Sequence, residues 1–141
     1  MKQHFISLVL FISLLASSCM PSQQTEVTSP DGHIRLVFAL DGNNRMTYQV
    51  SVGDTAFVTP SLLGFLAKDG VNLAEGFKVV NTGFTTHDEI WTQPWGENKN
   101  IRNHYNEMAV HLSDTTNTKL TLRFRIFDDG LGFRYEYEVP G

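Results

Sequence analysis

From Ile34 onward apolar and polar residues alternate in one run after another, and a period of two admits strands while excluding amphipathic helices. Ile34, Leu36, Phe38 and Leu40 share one face. The spacing returns at Met46, Tyr48, Val50 and Val52, at Met108, Val110 and Leu112, at Leu120, Leu122, Phe124 and Ile126, and at Leu131, Phe133, Tyr135 and Tyr137. Each such face has to be buried against a second one, so the alternation predicts an all-β chain of antiparallel strands arranged as a β-sandwich.

Turn chemistry agrees with that class. Asp31-Gly32, Asp41-Gly42, Asp69-Gly70 and Asp129-Gly130 fall between or beside the alternating runs, where glycine tolerates the positive φ of a tight reversal. The clearest hairpin spans residues 119–127, turns through Asp128, Asp129 and Gly130, and returns over 131–137. Residues 62–73 come nearest to a helical pattern, but Gly64 and Gly70 interrupt it, and the segment reads as strand, turn and loop. On the outward side of the hairpin Arg123, Arg125 and Arg134 lie close to Glu136 and Glu138. Cross-strand charge pairing is the ordinary account of such a group, and a partner surface is the other.

Charge and cysteine content narrow the function classes. Eleven Lys+Arg against 15 Asp+Glu give a net charge of −4, which leaves no basic excess for a nucleic-acid backbone. The sole cysteine, Cys19, lies too near the N-terminus to serve an internal disulfide or a cysteine-rich zinc site. Residues 1–18 combine Lys2, an apolar run over 5–15 and the small residues Ala16, Ser17 and Ser18. The run falls short of the roughly 20 residues a stable membrane span needs, so it reads as a secretory signal. Cys19 directly behind it reads as the acylated residue of a lipoprotein, with ordinary cleavage leaving a free thiol as the alternative. The expected location is therefore the periplasm or the outer membrane, with a lipid anchor as the only membrane attachment. Polar residues 19–28 read as a flexible tether and 29–141 as the folded part.

Residues 87–107, HDEIWTQPWGENKNIRNHYNE, are the densest polar and aromatic stretch and the least strand-like. Trp91 and Trp95 offer flat faces with an edge donor, chemistry that stacks on a sugar ring or anchors an interface. The competing account, favoured by how often large aromatics are core residues, has them roof the end of the sandwich. Glu97, Arg102, Asn103, Tyr105 and Glu107 form a second group, in which a guanidinium could clamp carboxylates and fix the loop. A ligand-facing role for Glu97 or Glu107, including an oxygen-rich calcium site, is the alternative, although the spacing fits no EF-hand. Asp88-Glu89 and Asp128-Asp129 are sequence neighbours, and neighbours in a strand point to opposite faces, so neither pair makes an acid and base for glycoside hydrolysis. His87, His104 and His111 match no HExxH spacing, and no GxGxxG, P-loop or GxSxG motif occurs.

Ser29-Pro30-Asp31-Gly32, Pro60-Ser61-Leu62-Leu63-Gly64, Asp88-Glu89-Ile90-Trp91 with Pro94-Trp95-Gly96-Glu97, Arg102-Asn103-His104-Tyr105-Asn106-Glu107, and the run from Arg123 through Asp128-Asp129-Gly130 to Phe133-Arg134-Tyr135-Glu136 occur in this order along the chain. Together they resemble the N-terminal domain of glycoside hydrolase family 97. The resemblance implies a galactose-mutarotase-like super-sandwich, which in the family packs against a (β/α)8 barrel and precedes a small C-terminal β-domain. It implies exported, calcium-dependent α-glucosidases or α-galactosidases whose catalytic carboxylates lie on the barrel. Because the sandwich is expected to be incomplete at Gly141, no catalytic residue and no metal ligand is carried onto this chain, and it is expected to be inactive alone. An α-linked saccharide and the barrel are the implied partners. A stand-alone sugar-binding lipoprotein using Trp91 and Trp95, and an interaction protein that docks by strand addition, are the competing functions.

Overall fold

A computed structural model, which describes residues 24–68 and 70–138, is built from eight strands with no helix among those residues. The first sheet has the order β1 (Gln24–Thr28), β2 (Ile34–Leu40), β3 (Met46–Val52) and β4 (Thr55–Leu62). The second has the order β5 (Lys78–Thr92), β6 (Asn100–Ser113), β7 (Lys119–Phe127) and β8 (Gly130–Tyr137). All neighbouring strands are antiparallel, so the chain is a β-sandwich made of two meanders.

Every alternating run turns its apolar set inward. Leu36, Phe38, Met46 and Val50 from the first sheet meet Met108, Val110, Leu112, Leu120, Leu122, Phe124 and Ile126 from the second. Phe38 and Phe124 contact each other across the sheets with ring centroids 6.2 Å apart. The connection between the sheets, residues 63–77, folds over one end and buries Leu63, Leu73 and Phe77. It is strand end, bridge and loop, as Gly64 and Gly70 suggest, with Leu66 bridging to Asn72.

The turns follow the expected positions with altered chemistry. Gly32 and Gly70 take positive φ, whereas in the turn after β2 it is Asn44 that does so, at φ 56°. There the Asp41 carboxylate accepts from the amides of Asn43 and Arg45, each at 2.9 Å, and side-chain bonding of this kind makes a left-handed asparagine affordable without glycine. Gly130 is not at positive φ either. It pairs with Phe127 as the first residue of β8, so Asp128 and Asp129 alone form the turn.

Three expectations meet residues outside or against the structure. The signal segment 1–18, Cys19 and Asp69 lie outside the described residues. The tether expected over 19–28 does not extend to its end, because Gln24–Thr28 is strand β1, paired with β2 and burying Val27 in the core. Residues 87–107 are also not a loop. They form the distal half of β5, a short turn, and the first half of β6.

The two sheets are offset, so that the edge of the first falls over an inner strand of the second. β1, that edge strand, lies over β6: Thr25 Oγ1 approaches Met108 Sδ at 3.6 Å and Asn106 Nδ2 donates to the Thr28 carbonyl at 2.9 Å. Only the start of β5 packs against the core, through Val79, and further along Phe84 and Thr86 face an open hollow bordered by Val27 and Thr28 of β1. Met108 is completely buried, yet Phe84, its cross-strand partner on the same face, is 57% exposed.

Candidate functional site

The β5–β6 hairpin outgrows its sheet. The β6–β7 register stops at Asn106 opposite Ile126, while β5–β6 pairing continues from His87–Tyr105 to Thr92–Asn100. Six further residue pairs make an arm of roughly 20 Å at about 3.4 Å per residue. It leaves the sandwich at the end that carries the turns at residues 29–33 and 128–129. These two turns are stitched together by the Asp31 amide, which donates to Asp128 Oδ1 at 2.9 Å.

A two-stranded ribbon is marginal in water, so what holds the arm is informative. On the face continuous with the core, Arg102 donates from Nε and Nη2 to the two oxygens of Asp88, both at 2.8 Å. The hydrogen bond and the charge of Arg102 hold the Asp88 carboxyl below the usual range, and Asp88 in turn holds the guanidinium up. His104 stands opposite Asp88 in the register, with its Nδ1 buried and without a hydrogen-bond partner. On the outer face Asn103 donates to Glu89 at 3.1 Å, and His87 Nε2 lies 3.0 Å from the same carboxylate. His87 also stacks on Tyr105 at 5.0 Å, and Tyr105 in turn contacts Phe127 at 5.2 Å. At the tip Gly96 takes φ 129°, and Gln93 reaches back to Lys99 and Asn98 through its backbone and side-chain amides.

The arm separates residues that look like one cluster in the sequence. Trp91, on its outer face, is 47% exposed and Trp95, at the tip, 86% exposed, so neither roofs the core. Glu97 is exposed at the tip. Arg102 faces the core side, whereas Asn103, Tyr105 and Glu107 face outward, because alternate residues of a strand point to opposite faces. The clamp expected between Arg102 and Glu97 or Glu107 is therefore not formed. Arg102 holds Asp88, and Glu107, only 8% exposed, is held by Arg123 Nη1 at 2.6 Å and Arg125 Nε at 2.7 Å. Burial alone would raise the Glu107 carboxyl, but the hydrogen bonds from Arg125 and Arg123 outweigh it and lower its pKa.

The network continues across β7 and β8. Arg123 donates through Nε and Nη2 to both oxygens of Glu136 at 2.8 and 3.0 Å, and Arg134 Nε adds a third bond at 2.7 Å. These donors, Arg123 first, hold the Glu136 carboxyl down from 4.5 to about 2. A carboxyl lowered in the folded state contributes stability that is complete above its unfolded value and lost as pH falls through the folded one. Unfolding midpoints are therefore expected to decline from about pH 4.5 towards pH 2, and Glu136→Gln to flatten part of that decline. A Glu136→Gln profile as steep as the parent's, followed by urea titration at each pH, contradicts this. Among the described residues no group of three or more His, Cys, Asp or Glu is placed to hold a metal ion.

A sandwich with a projecting aromatic arm and an Arg-Glu network has counterparts among known proteins. Residues 27–140 match the family described as Glycosyl-hydrolase 97 N-terminal. The chain belongs to that family. A retaining α-galactosidase of Bacteroides thetaiotaomicron is 25% identical over 130 residues, which cover 92% of this chain and 19% of that protein. A family 97 enzyme of a Pseudoalteromonas species, solved with acarbose, superposes with a TM-score of 0.76 at 29% identity over 83% of this chain and 18% of that one. A β-arabinopyranosidase shares the fold at a TM-score of 0.74 and 24% identity. The family 97 segment thus spans about a fifth of the length of these relatives.

Proposed function

We propose that this family 97 domain serves an exported enzyme that hydrolyses terminal α-glycosidic bonds, as a scaffold that holds no catalytic carboxylate pair of its own. The observation that carries the reading is the match over nearly the whole described sandwich to the N-terminal part of much longer glycosidases. Asp88 is committed to Arg102 and Asp128 to the Asp31 amide, so the acids at the arm's end have structural duties. The arm supplies the binding element: Trp91 and Trp95 present indole faces to solvent on a projecting hairpin, suited to stack on an α-linked saccharide or on the catalytic barrel beside it. Cys19 supports a lipid anchor at the periplasmic or outer-membrane face, and calcium is the metal we assign to the complete enzyme.

Two assays test this. The purified chain is expected to show no turnover of aryl α-glucosides or aryl α-galactosides, and turnover that survives a repeated purification overturns the scaffold reading. An antibody to the chain is expected to precipitate calcium-dependent α-glycosidase activity from cells that make it. A precipitate free of such activity counts against the enzyme assignment.

A further inference from the structure

The outer face of β6, β7 and β8 carries three guanidinium groups and two carboxylates. Arg123 and Arg134 stand directly opposite each other in the register, an arrangement of like charges that ordinarily destabilises a strand pair. Glu136 relieves it by accepting from both, and Glu107 accepts from Arg123 and Arg125. With both carboxylates engaged, the cluster keeps one positive charge in excess, against the −4 of the whole chain. Both Nη groups of Arg125 and Nη1 of Arg134 have no hydrogen-bond acceptor among the described residues.

These unused donors border a hollow. Gly132 lies opposite Arg125, and a Cβ built on it meets nothing within 4 Å. Arg123, Arg125, Arg134, Phe127 and Gly132 line a depression of about 180 Å³ there. Arg125 is held in place from behind by Glu107 and by the Tyr105 ring, whose centroid is 4.6 Å from its Cζ. A guanidinium oriented before binding loses little freedom when a ligand arrives, and its planar fork matches a carboxylate.

We propose that this depression is a carboxylate-binding site, in which the free Nη donors of Arg125 and Arg134 take the two oxygens and Phe127 meets the apolar body that carries them. The carboxylate can belong to a sugar acid or to an acidic side chain of a neighbouring polypeptide segment.

Titrating the chain with sodium galacturonate, glutarate and galactose at constant ionic strength, while following the Gly132 amide resonance, tests the site and separates the carriers. Saturable shifts are expected with a carboxylate and none with galactose. Tighter binding of galacturonate identifies a sugar acid, and equal or tighter binding of glutarate an acidic side chain. Arg134 is 59% exposed in its side chain and can be replaced without disturbing the core. Arg134→Ala is expected to weaken binding about tenfold, and Arg134→Lys, which keeps the charge but not the fork, by a smaller factor. Shifts reproduced by galactose or by sodium chloride overturn the proposal, as does unchanged binding by an Arg134→Ala chain whose other amide resonances stay in place.

Discussion

Phe124→Ala is expected to remove about 3–5 kcal/mol of stability, the usual cost of emptying an aromatic from a close-packed core. Phe124 is fully buried and touches Phe38 of the facing sheet at 6.2 Å and Phe133 of its neighbouring strand at 5.8 Å. The hole therefore opens where the two sheets meet and cannot collapse without moving both. Against the roughly 5–15 kcal/mol available to a small domain, the urea midpoint should fall by about a fifth or more. A loss below about 1 kcal/mol, measured by urea titration at unchanged m-value, would mean that the two layers do not share this core.

The connection between the sheets depends on one glycine as strongly. Gly64 sits at φ 112°, and a Cβ there would lie 2.5 Å from Ala74 Cα and 2.6 Å from the Leu73 carbonyl oxygen, both backbone atoms. Gly64→Ala must therefore part residues 64 and 73 as well as strain the backbone, and Leu73 is fully buried. The same shift pulls on the Gly64 amide, which donates to Tyr135 Oη at 2.8 Å and ties the connection to β8. We expect a cost of about 3 kcal/mol or more. Gly32 offers the comparison, since it has φ 78° but open space around its Cβ position. Gly32→Ala should cost about 1–2 kcal/mol from conformation alone. Equal midpoints for the two variants in parallel urea titrations would show that the clash at Gly64 is absorbed.

How far the fold can be read from the residues depends on what each strand faces. β2, β3, β6, β7 and β8 have an opposing sheet over at least part of their length, and their inner positions are regularly apolar there. β5 packs against the core only at its start, through Val79, and beyond the bulge there its inner positions run Thr82, Phe84, Thr86, Asp88 and Ile90 without a steady apolar set. That is why 87–107 looks like a loop while forming the longest hairpin of the chain. β1 escapes notice for a related reason: as an edge strand of five residues it buries only Val27.

Local chemistry in the sequence was enough for the class, the β7–β8 hairpin and the motifs that mark family 97, because alternation and turn residues act over a few neighbours. Pairing of the charged side chains was settled only by the tertiary structure. Arg102 and Glu107 are five residues apart and look like clamp and target, yet register places Asp88 beside the first and Arg123 and Arg125 beside the second. A strand's two faces are set by single-residue register, and its partners lie 14 to 18 residues away in the chain. The exposure of Trp91 and Trp95 has the same origin. Whether an indole caps a core or projects from an arm depends on where the opposing sheet ends, and no residue near either tryptophan encodes that boundary.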